Sequence, residues 1–273
     1  MPSLVQYIIK ELRPFYEGSE AQSIAWWVAE EITGQTQTEL ILHGDCKITE
    51  KNPHLQEILA RLRKKEPIQY IFGETQWRGL SLKVTRDTLI PRPETAELVD
   101  LIIAENHEPA SIIDIGTGTG CIAIALKKER PCWSITAIDK SEGALQVAGQ
   151  NAKRHHVNIL FQPCDILQNI PSNAGYLYDI VVSNPPYVRP SDETDTSAGT
   201  WEPKEAIFVP ESDPLLFYRR IAELKIGRVL YFEINEKLSL PTADVLNQLG
   251  YQDIRIKSDS YGKERFITCR LVK

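Results

Sequence analysis

The residue types best suited to do chemistry in this chain are grouped in one run, Asn184-Pro185-Pro186-Tyr187. Proline has no N–H group and fixes φ, so the run is stiff and leaves the carbonyls of Asn184 and Pro185 available as hydrogen-bond acceptors. The Asn184 side-chain oxygen is a further acceptor, and the Tyr187 ring offers a flat face. This combination predicts a pocket for a planar –NH2 group, as in an exocyclic amine or a carboxamide. The alternative is an ordinary proline-rich turn after a strand.

A glycine-rich run upstream, Asp114–Gly120, favours the functional interpretation. It follows the apolar residues Ser111–Ile113 and leads into a helix that opens at Cys121. Strand, glycine turn and helix together form the first βα unit of a nucleotide-binding sheet. The glycine spacing differs from G-x-G-x-x-G, which counts against a dinucleotide and its pyrophosphate. The candidate cofactor contacts in this turn are Gly116, Thr117, Gly118, Thr119 and Gly120.

Acidic residues follow the next two predicted strands. Asp139 ends the run Ser134–Ile138, where a carboxylate is placed to accept both hydroxyls of a ribose. Its alternative role is the N-cap of the following helix, which Ser141 could fill instead. After the third strand, Asp165 could meet an adenine amino group while Ile166 packs on the ring.

The elements that must position these residues alternate between apolar β-type runs and helical patterns. This alternation predicts an α/β fold, a doubly wound and mostly parallel sheet of seven strands with ligands at their carboxyl ends. The last two strands are close in sequence with no helix between them, so one of them should run antiparallel. We expect the strands near 111–115, 134–139, 157–162, 178–183, 228–234, 251–257 and 264–271.

The chain ahead of the sheet has a different pattern. Residues 1–70 have helical apolar spacing and predict a small helical substrate-docking domain, whereas 77–84 alternate around a glycine turn and predict a hairpin. We therefore expect a hairpin connector over 71–90 and the catalytic domain over 91–273. The predicted helix boundaries are the capping boxes Ser19/Gln22 and Thr36/Glu39, the N-cap Asn52 before Pro53, and the helix ends Gly34 and Gly44.

Two further stretches are candidates for partner contacts. Arg61–Lys65 is a short basic run; most such runs are simply solvated, and the alternative is docking of an acidic partner. The polar stretch 189–200 predicts a mobile loop beside the site, as a lid or a contact loop.

Taken together, the motifs resemble those of a class I S-adenosylmethionine-dependent methyltransferase that methylates amino groups. Two further runs, Glu66–Gly73 and Leu89–Thr95, closely resemble the protein-(glutamine-N5) methyltransferases that modify the Gly-Gly-Gln glutamine of class I peptide-chain release factors. The resemblance extends to Trp201-Glu202-Pro203 and Asp259–Phe266, so it covers nearly the whole chain. The departures from the family pattern are Asn235 in place of glycine, Pro214 where Asp-Gly-Leu is common, and Ile166 where an aromatic is expected.

This resemblance implies a function, partners and site residues. The cofactor would be S-adenosyl-L-methionine, with S-adenosyl-L-homocysteine as product, and the partner a release factor methylated at the glutamine N5 atom; no metal is implied. The residues around the cofactor would be the glycine turn with Asp139, Asp165, Ile166 and Asn184. The catalytic residues would be Asn184, Pro185, Pro186 and Tyr187, and the substrate contacts those four with Arg92 and Glu94.

Composition agrees with this interpretation. The 273 residues are 42% hydrophobic and 25% charged, as in an ordinary globular protein. A net charge of −6 offers no broad basic face to nucleic acid. Neither the cysteines nor the histidines have metal-ligand spacing, and no apolar stretch approaches the ~20 residues that a membrane-spanning helix needs. We expect a cytoplasmic monomer without direct nucleic-acid or membrane partners.

Three other classes of protein share part of the pattern. An NAD-dependent oxidoreductase would use the glycine turn and Asp139 but has no use for the Asn-Pro-Pro-Tyr run. A non-catalytic binding protein of the same fold would lose one of the two motifs, and both are intact. The closest alternative is an adenine-N6 methyltransferase acting on DNA or RNA, which shares every central residue. Such an enzyme should carry a basic target-recognition region, whereas this chain is acidic overall.

Overall fold

The computed structural model describes residues 3–43, 51–171, 177–192 and 200–271. The chain divides into two compact units, Met1–Phe72 and Gly73–Lys273. The predicted helix end Gly44 and most of the polar stretch 189–200 lie outside the described residues; within that stretch, Pro190–Asp192 form a short 3-10 helix. In the part of the chain that is described, no helix is long and apolar enough to cross a membrane.

The first unit is helical. Its apolar side chains recur every three or four residues, and Ile8, Leu12, Val28 and Leu59 have no exposed surface. These side chains form apolar stripes that the helices bury against one another. The helices are Ser3–Leu12, Gly18–Thr33, Gln37–His43, Pro53–Leu62 and Ile68–Phe72.

Most of the predicted helix boundaries in this unit are confirmed. Asn52 Oδ1 accepts the N–H groups two and three residues further on, at 2.9 and 3.1 Å. The Thr36 N–H donates to Glu39 Oε2 at 2.8 Å, and the Glu39 N–H donates to Thr36 Oγ1 at 3.3 Å. Gly34 ends its helix with φ at 68°. These groups bond backbone atoms that have no partner within the helix.

The capping box predicted at Ser19 and Gln22 is wrong. The helix begins at Gly18, and its N-cap Glu17 makes no side-chain capping hydrogen bond. The Ala21 N–H already donates to the Glu17 carbonyl at 2.7 Å. Ser19 therefore lies inside the first turn, where its side chain cannot act as the N-cap.

The basic run Arg61–Lys65 makes contacts inside the first unit. Arg61 Nε lies 2.9 Å from Oε2 of the buried Glu66, and Lys65 Nζ lies 3.9 Å from the centre of the Tyr16 ring. Arg63 pairs with Glu11 at 2.5 Å. These contacts favour a structural role for the run over the docking of an acidic partner.

The hairpin is shorter than the predicted connector 71–90. Its strands are β1, Glu74–Trp77, and β2, Leu80–Lys83. Arg78 and Gly79 have φ of 46° and 70°, as a two-residue type I′ turn requires. Residues 71 and 72 belong to a helix of the first unit, because the apolar spacing of 68–72 is helical. Residues 84–92 form a loop that leads to the helix Pro93–Glu105.

The second unit contains a seven-stranded sheet with the strand order β5-β4-β3-β6-β7-β9-β8. All neighbouring pairs are parallel except those of β9, which is antiparallel to both β7 and β8, so the prediction of one antiparallel strand is confirmed. From β3 the strands follow one another outwards to β5, and from β6 they follow one another outwards to β7 on the opposite side. The strand order therefore reverses between β3 and β6, and ligands bind at this position in such sheets. The strands are β3 Ser111–Ile115, β4 Ser134–Asp139, β5 Leu160–Pro163, β6 Tyr178–Ser183, β7 Gly227–Glu233, β8 Tyr251–Ser258 and β9 Glu264–Leu271.

Strand β5 begins later than the predicted residue 157. The Val157 N–H donates to the Ala152 carbonyl at 3.0 Å, which ties this residue to the end of the preceding helix. Pairing with β4 therefore starts only at Leu160.

Both faces of the sheet are covered. Ile180 and Val182 belong to a core formed with the helices Pro93–Glu105 and Cys121–Glu129, whereas Val181 belongs to a core on the other face. This alternation explains why β6 is apolar at successive positions. Further helices of this unit are Glu142–Arg154, Lys204–Ile207, Leu216–Glu223 and Ser239–Gln248, and Glu236–Leu238 form a short 3-10 helix.

Candidate active site

The glycine turn follows β3 and is held by backbone hydrogen bonds. The N–H groups of Gly116 and Thr117 both donate to the carbonyl of Ile138 in β4, at 2.9 and 3.0 Å. Gly116 and Gly118 have φ of 73° and 55°, a region that glycine enters without steric cost. The turn thus presents backbone without side chains at the carboxyl end of the sheet.

Asp114 lies beneath this turn and is fully buried. Its Oδ2 accepts the Thr117 hydroxyl at 2.6 Å. Burial raises the pKa of Asp114 to about 7 against the opposing effect of this hydrogen bond, and the charge of Asp139 adds to the rise. Asp114 lines neither of the cavities described below, so it supports the turn from inside the protein.

Asp139 connects the glycine turn to the helix after β4. Its Oδ2 accepts the Gly118 N–H and its Oδ1 accepts the Ser141 N–H, each at 2.9 Å. Ser141 is the N-cap, since its Oγ accepts the Ala144 N–H at 3.1 Å. Burial raises the pKa of Asp139, and the backbone hydrogen bonds oppose that rise. Each carboxylate oxygen keeps a lone pair for a further donor such as a hydroxyl group.

A cavity of about 260 Å³, here called the glycine-turn cavity, opens beside Asp139. Near it, Asp165 Oδ1 accepts the Leu167 N–H at 3.0 Å, and the Ile166 carbonyl accepts Arg220 Nε at 2.9 Å, so both residues are held in place. The wall combines carboxylates with apolar side chains, which suits a ribose joined to a flat ring. The predicted cofactor contacts that line it are Gly116, Gly118, Asp139, Asp165, Ile166 and Asn184.

Three residues of the predicted cofactor set do not line the cavity. Thr117 and Thr119 are 4% and 2% exposed, and their side chains lie within the protein. Gly120 begins the helix Cys121–Glu129 with φ at 80° and lies against the neighbouring helix. These residues support the turn from inside the protein and do not line the cavity. The spacing of a sequence motif does not distinguish such supporting residues from residues that contact a ligand directly.

Replacing Gly120 with alanine should destabilise the protein by about 1–3 kcal/mol, because overpacking adds to an unfavourable φ. A Cβ atom there would lie 3.1 Å from both Ala148 Cβ and Ile124 Cδ1. The midpoint of urea unfolding measures the loss. Gly149→Ala is the matched control, because nothing lies within 4 Å of a Cβ at this helical position. Equal midpoints for the two variants would contradict the packing argument.

A second cavity of about 360 Å³, here called the Tyr187 cavity, lies on the other side of the Asn-Pro-Pro run. Its wall is charged and includes Arg92, Lys237 and Arg265 beside Asp192 and Glu236. The two cavities meet at the run itself, because residues of the run line both of them. The residues that line both are Leu89, Asn184, Pro185, Pro186 and Ala206.

Hydrogen-bond acceptors are available where the cavities meet. Among the described residues, none donates to Asn184 Oδ1 or to the backbone carbonyls of Asn184 and Pro185. Ser183 fixes the strand end just before them, since its Oγ donates to the Ile115 carbonyl at 2.7 Å. The arrangement therefore offers a rigid group of acceptors to an –NH2 group.

The amide of Asn184 is held by a chain of side chains behind it. Asn184 Nδ2 donates to Thr95 Oγ1 at 3.1 Å, and Thr95 Oγ1 donates to Glu233 Oε2 at 2.7 Å. The Tyr187 hydroxyl donates to the other oxygen, Glu233 Oε1, at 3.2 Å. Burial raises the pKa of Glu233 to about 7; the Thr95 hydrogen bond, the charge of Arg265 and the Tyr187 hydrogen bond oppose the rise.

The predicted substrate contacts Arg92 and Glu94 have different surroundings. Arg92 lines the Tyr187 cavity, and its Nη2 lies 2.6 Å from Oε1 of Glu202, a buried carboxylate. Glu202 Oε2 also accepts the Ile90 N–H at 3.1 Å, which holds the loop carrying Arg92. Glu94 lines neither cavity and acts on Glu233 only through its charge.

Sequence reasoning missed several residues of this site. Thr95, Glu202 and Glu233 form its buried hydrogen bonds, yet a threonine and two glutamates carry no spacing signal that reveals a partner far along the chain. Leu89 and Ala206 line both cavities but are common apolar residues. Within the described ranges, no group of three or more His, Cys, Asp or Glu side chains could hold a metal ion.

The fold is that of a class I S-adenosylmethionine-dependent methyltransferase. A family model described as the methyltransferase small domain matches residues 95–200, and one described as the PrmC N-terminal domain matches residues 3–73. The hMettl16 catalytic domain, crystallised in complex with the MAT2A 3'UTR hairpin 6, has a similar fold with a TM-score of 0.56 at 18% identity, covering 85% of this chain and 86% of that one.

Sequence relatives narrow this class to one family. The release factor glutamine methyltransferase of Bacteroides thetaiotaomicron is 39% identical over 276 residues, covering 98% of this chain and 99% of that protein. Its counterpart from Flavobacterium psychrophilum is 40% identical over 274 residues and covers 95% of each chain. The chain belongs to the release factor glutamine methyltransferase family.

Proposed function

We propose that this protein transfers a methyl group from S-adenosyl-L-methionine to the side-chain nitrogen (N5) of the glutamine in the Gly-Gly-Gln motif of a class I peptide-chain release factor. The observation that carries the proposal is the meeting of two cavities at Asn184-Pro185-Pro186. One cavity suits a nucleoside, the other suits a side chain from a partner, and the acceptors between them suit a carboxamide.

The glycine-turn cavity fits the methyl donor. Asp139 would accept the two ribose hydroxyls, while Gly116 and Gly118 let the amino-acid part approach the backbone closely. Asp165 would accept the adenine amino group and Ile166, 6% exposed, would cover one face of the ring. When bound, the donor supplies an electrophilic methyl group on a sulfonium and is released as S-adenosyl-L-homocysteine.

The Tyr187 cavity fits the glutamine. A carboxamide nitrogen is a poor nucleophile, because its lone pair is delocalised into the carbonyl group. Acceptance of its N–H bonds by Asn184 Oδ1 and the Pro185 carbonyl raises the electron density on nitrogen and favours an attacking geometry. These acceptors are already in place before the charge develops, which is how preorganised groups stabilise a transition state. The rigid prolines hold the nitrogen in line with the methyl group, and proximity supplies the rest.

No general base is needed for this reaction. Once the new N–C bond has formed, the nitrogen is cationic and acidic, so a proton leaves readily to water. Tyr187 cannot serve as a base at neutral pH, because burial and the nearby Glu233 carboxylate raise the pKa of its hydroxyl. Its role is to present its ring to the amide and to donate to Glu233.

A methyl-transfer assay tests the proposal directly. With tritiated S-adenosyl-L-methionine, label should enter an intact release factor and not DNA or RNA offered in parallel. A release factor in which the glutamine of the motif is replaced should stay unlabelled. Label in adenine instead would support the adenine-N6 alternative, which the net charge of −6 disfavours. We also propose a cytoplasmic location, where release factors act, and a monomeric protein.

The first unit is proposed to recognise the release factor. A Gly-Gly-Gln loop offers one side chain flanked by residues that have none, so a larger surface elsewhere must supply affinity and selectivity. The unit has its own buried core, which includes Ile8, Leu12 and Leu59 and is separate from the cores of the sheet. It can therefore serve recognition without contributing to the core around the donor cavity.

Removing residues 1–72 should lower kcat/KM on intact release factor by about tenfold or more, while the rate on a short Gly-Gly-Gln peptide changes much less. A cut before Gly73 is preferable to one near Thr75, which would break strand β1. Calorimetry with S-adenosyl-L-methionine should give an unchanged dissociation constant and so verify the fold of the fragment. Equal losses on peptide and intact factor would assign the unit a purely structural role.

A further inference from the structure

Thr95 and Glu233 are buried polar residues behind the site, and they line neither cavity. They are 2% and 1% exposed and are joined by the 2.7 Å hydrogen bond from Thr95 Oγ1 to Glu233 Oε2. Thr95 lies in the first turn of the helix Pro93–Glu105, and Glu233 is the last residue of β7. A helix start and a strand end are thus connected directly behind Asn184.

The chain of hydrogen bonds has a direction. Burial raises the pKa of Glu233 to about 7, so above that pH its side chain is a carboxylate that can only accept, and it takes the single proton of the Thr95 hydroxyl. Thr95 Oγ1 can then only accept from Asn184, and it does so from Nδ2 at 3.1 Å. The Asn184 amide is therefore held with its nitrogen toward Thr95. The opposite atom, Oδ1, has no donor among the described residues and stays available at the junction of the cavities.

The positive charge of Arg265 and the hydrogen bonds from Thr95 and Tyr187 oppose the effect of burial and favour the ionised form of Glu233. The guanidinium of Arg265 in β9 acts on it electrostatically and is itself held by Asp259, Nε to Oδ2 at 3.3 Å. The Tyr187 hydroxyl occupies the second carboxylate oxygen. Tyr218 donates to the Glu233 backbone carbonyl at 3.1 Å, and the carboxylate of Glu94 is the opposing charge. Burial outweighs the opposing effects and raises the pKa of Glu233 to about 7, so above that pH Glu233 is an acceptor with a defined set of partners.

We propose that Thr95 is a positioning residue for the methyl transfer, and that Glu233 directs the Thr95 hydroxyl so that Asn184 presents its oxygen, and not its –NH2 group, to the substrate amide. The inference rests on the proposed function. It adds the residues that determine which of two orientations the Asn184 amide adopts, since the two orientations have the same shape. If the Asn184 amide were flipped, its –NH2 group would face the –NH2 group of the substrate, and both groups are donors. The substrate nitrogen would then lose its side-chain acceptor, Asn184 Oδ1.

Thr95→Val tests this role, because valine keeps the shape of threonine and can neither donate nor accept. We expect kcat on release factor to fall about tenfold or more, with KM and the donor dissociation constant within about twofold of wild type. Thr95→Ser retains the hydroxyl and should restore most of the rate. The matched control is Thr242→Val, a fully buried helical threonine whose Oγ1 has no hydrogen-bond partner among the described residues; its kcat should not change.

A spectroscopic measurement separates this inference from the proposed function, because it needs no substrate. The side-chain –NH2 signals of Asn184, identified by their absence in Asn184→Ala, should show one proton protected from solvent exchange in wild type. Protection should fall at least tenfold in Thr95→Val and persist in Thr95→Ser and Thr242→Val. Unchanged protection together with an unchanged kcat in Thr95→Val would overturn the inference. Absence of methylation by the wild type would overturn the proposed function alone.

Discussion

Asn184→Ala should lower kcat by about a hundredfold or more and leave the dissociation constant of S-adenosyl-L-methionine within a few-fold of wild type. The variant removes Oδ1, the side-chain acceptor at the junction of the two cavities. Loss of one preorganised hydrogen bond in a transition state typically costs 10²–10³ in kcat. Donor binding should persist, because Asp139, Asp165 and the glycine turn are unaffected. Single-turnover methylation and calorimetry measure the two quantities separately.

Asn106→Ala is the control for this variant. Asn106 is also a half-buried asparagine whose Nδ2 donates inside the second unit, to the Tyr231 hydroxyl at 2.9 Å, but it lines neither cavity. Its variant should retain the wild-type kcat. Turnover of Asn184→Ala near the wild-type rate would mean that the side-chain amide does not orient the substrate.

The sequence predicts the sheet well because its signals are local. Strand, glycine turn and helix around 111–121 follow one another along the chain, and each has its own pattern of apolar residues and glycine. The antiparallel course of β9 follows from a connection too short for a crossover. The caps at Asn52 and Thr36 were predictable for the same reason, since donor and acceptor are two or three residues apart.

Contacts between distant residues were not predictable in this way. The hydrogen bond between Thr95 and Glu233 joins residues 138 positions apart, and that between Ile90 and Glu202 joins residues 112 apart. Nothing in either local sequence indicates the partner. The same limit explains why Thr117 and Thr119 were predicted as cofactor contacts but do not line the cavity. A turn motif indicates that a cofactor binds there, but the packing of the fold determines which side chains face it.

Two predicted boundaries were wrong because backbone hydrogen bonds place the end of one helix and the start of another differently from what the residue types suggest. Val157 has the β-branched side chain of a strand residue, yet its N–H bonds the end of the preceding helix. Ser19 has the type of an N-cap, yet Gly18 and Glu17 allow the helix to begin ahead of it. In both cases the hydrogen bonds of the neighbouring backbone groups set the boundary, and the type of the single residue does not.

Asp139→Ala should raise the dissociation constant of S-adenosyl-L-methionine roughly a hundredfold. Hydrogen bonds to a charged group contribute about 1.5–3 kcal/mol each, so loss of two to the ribose, partly replaced by water, amounts to about 3 kcal/mol; every 1.4 kcal/mol is a factor of ten. The variant also removes the acceptor for the Gly118 N–H, which loosens the turn on which the donor lies. Calorimetry on the folded variant measures the change.

Asp179→Ala separates donor binding from general stability. Asp179 also accepts a backbone N–H, that of Ser111 at 2.9 Å, and joins two strands of the same sheet, but it lies at their amino ends and outside both cavities. Its loss should lower the free energy of unfolding and leave the donor dissociation constant unchanged. If Asp179→Ala weakened donor binding as much as Asp139→Ala, the effect would come from the sheet as a whole. If Asp139→Ala bound the donor with wild-type affinity, the ribose would have to lie elsewhere, since no other carboxylate accepts a hydrogen bond from the glycine turn on the cavity side in the described structure.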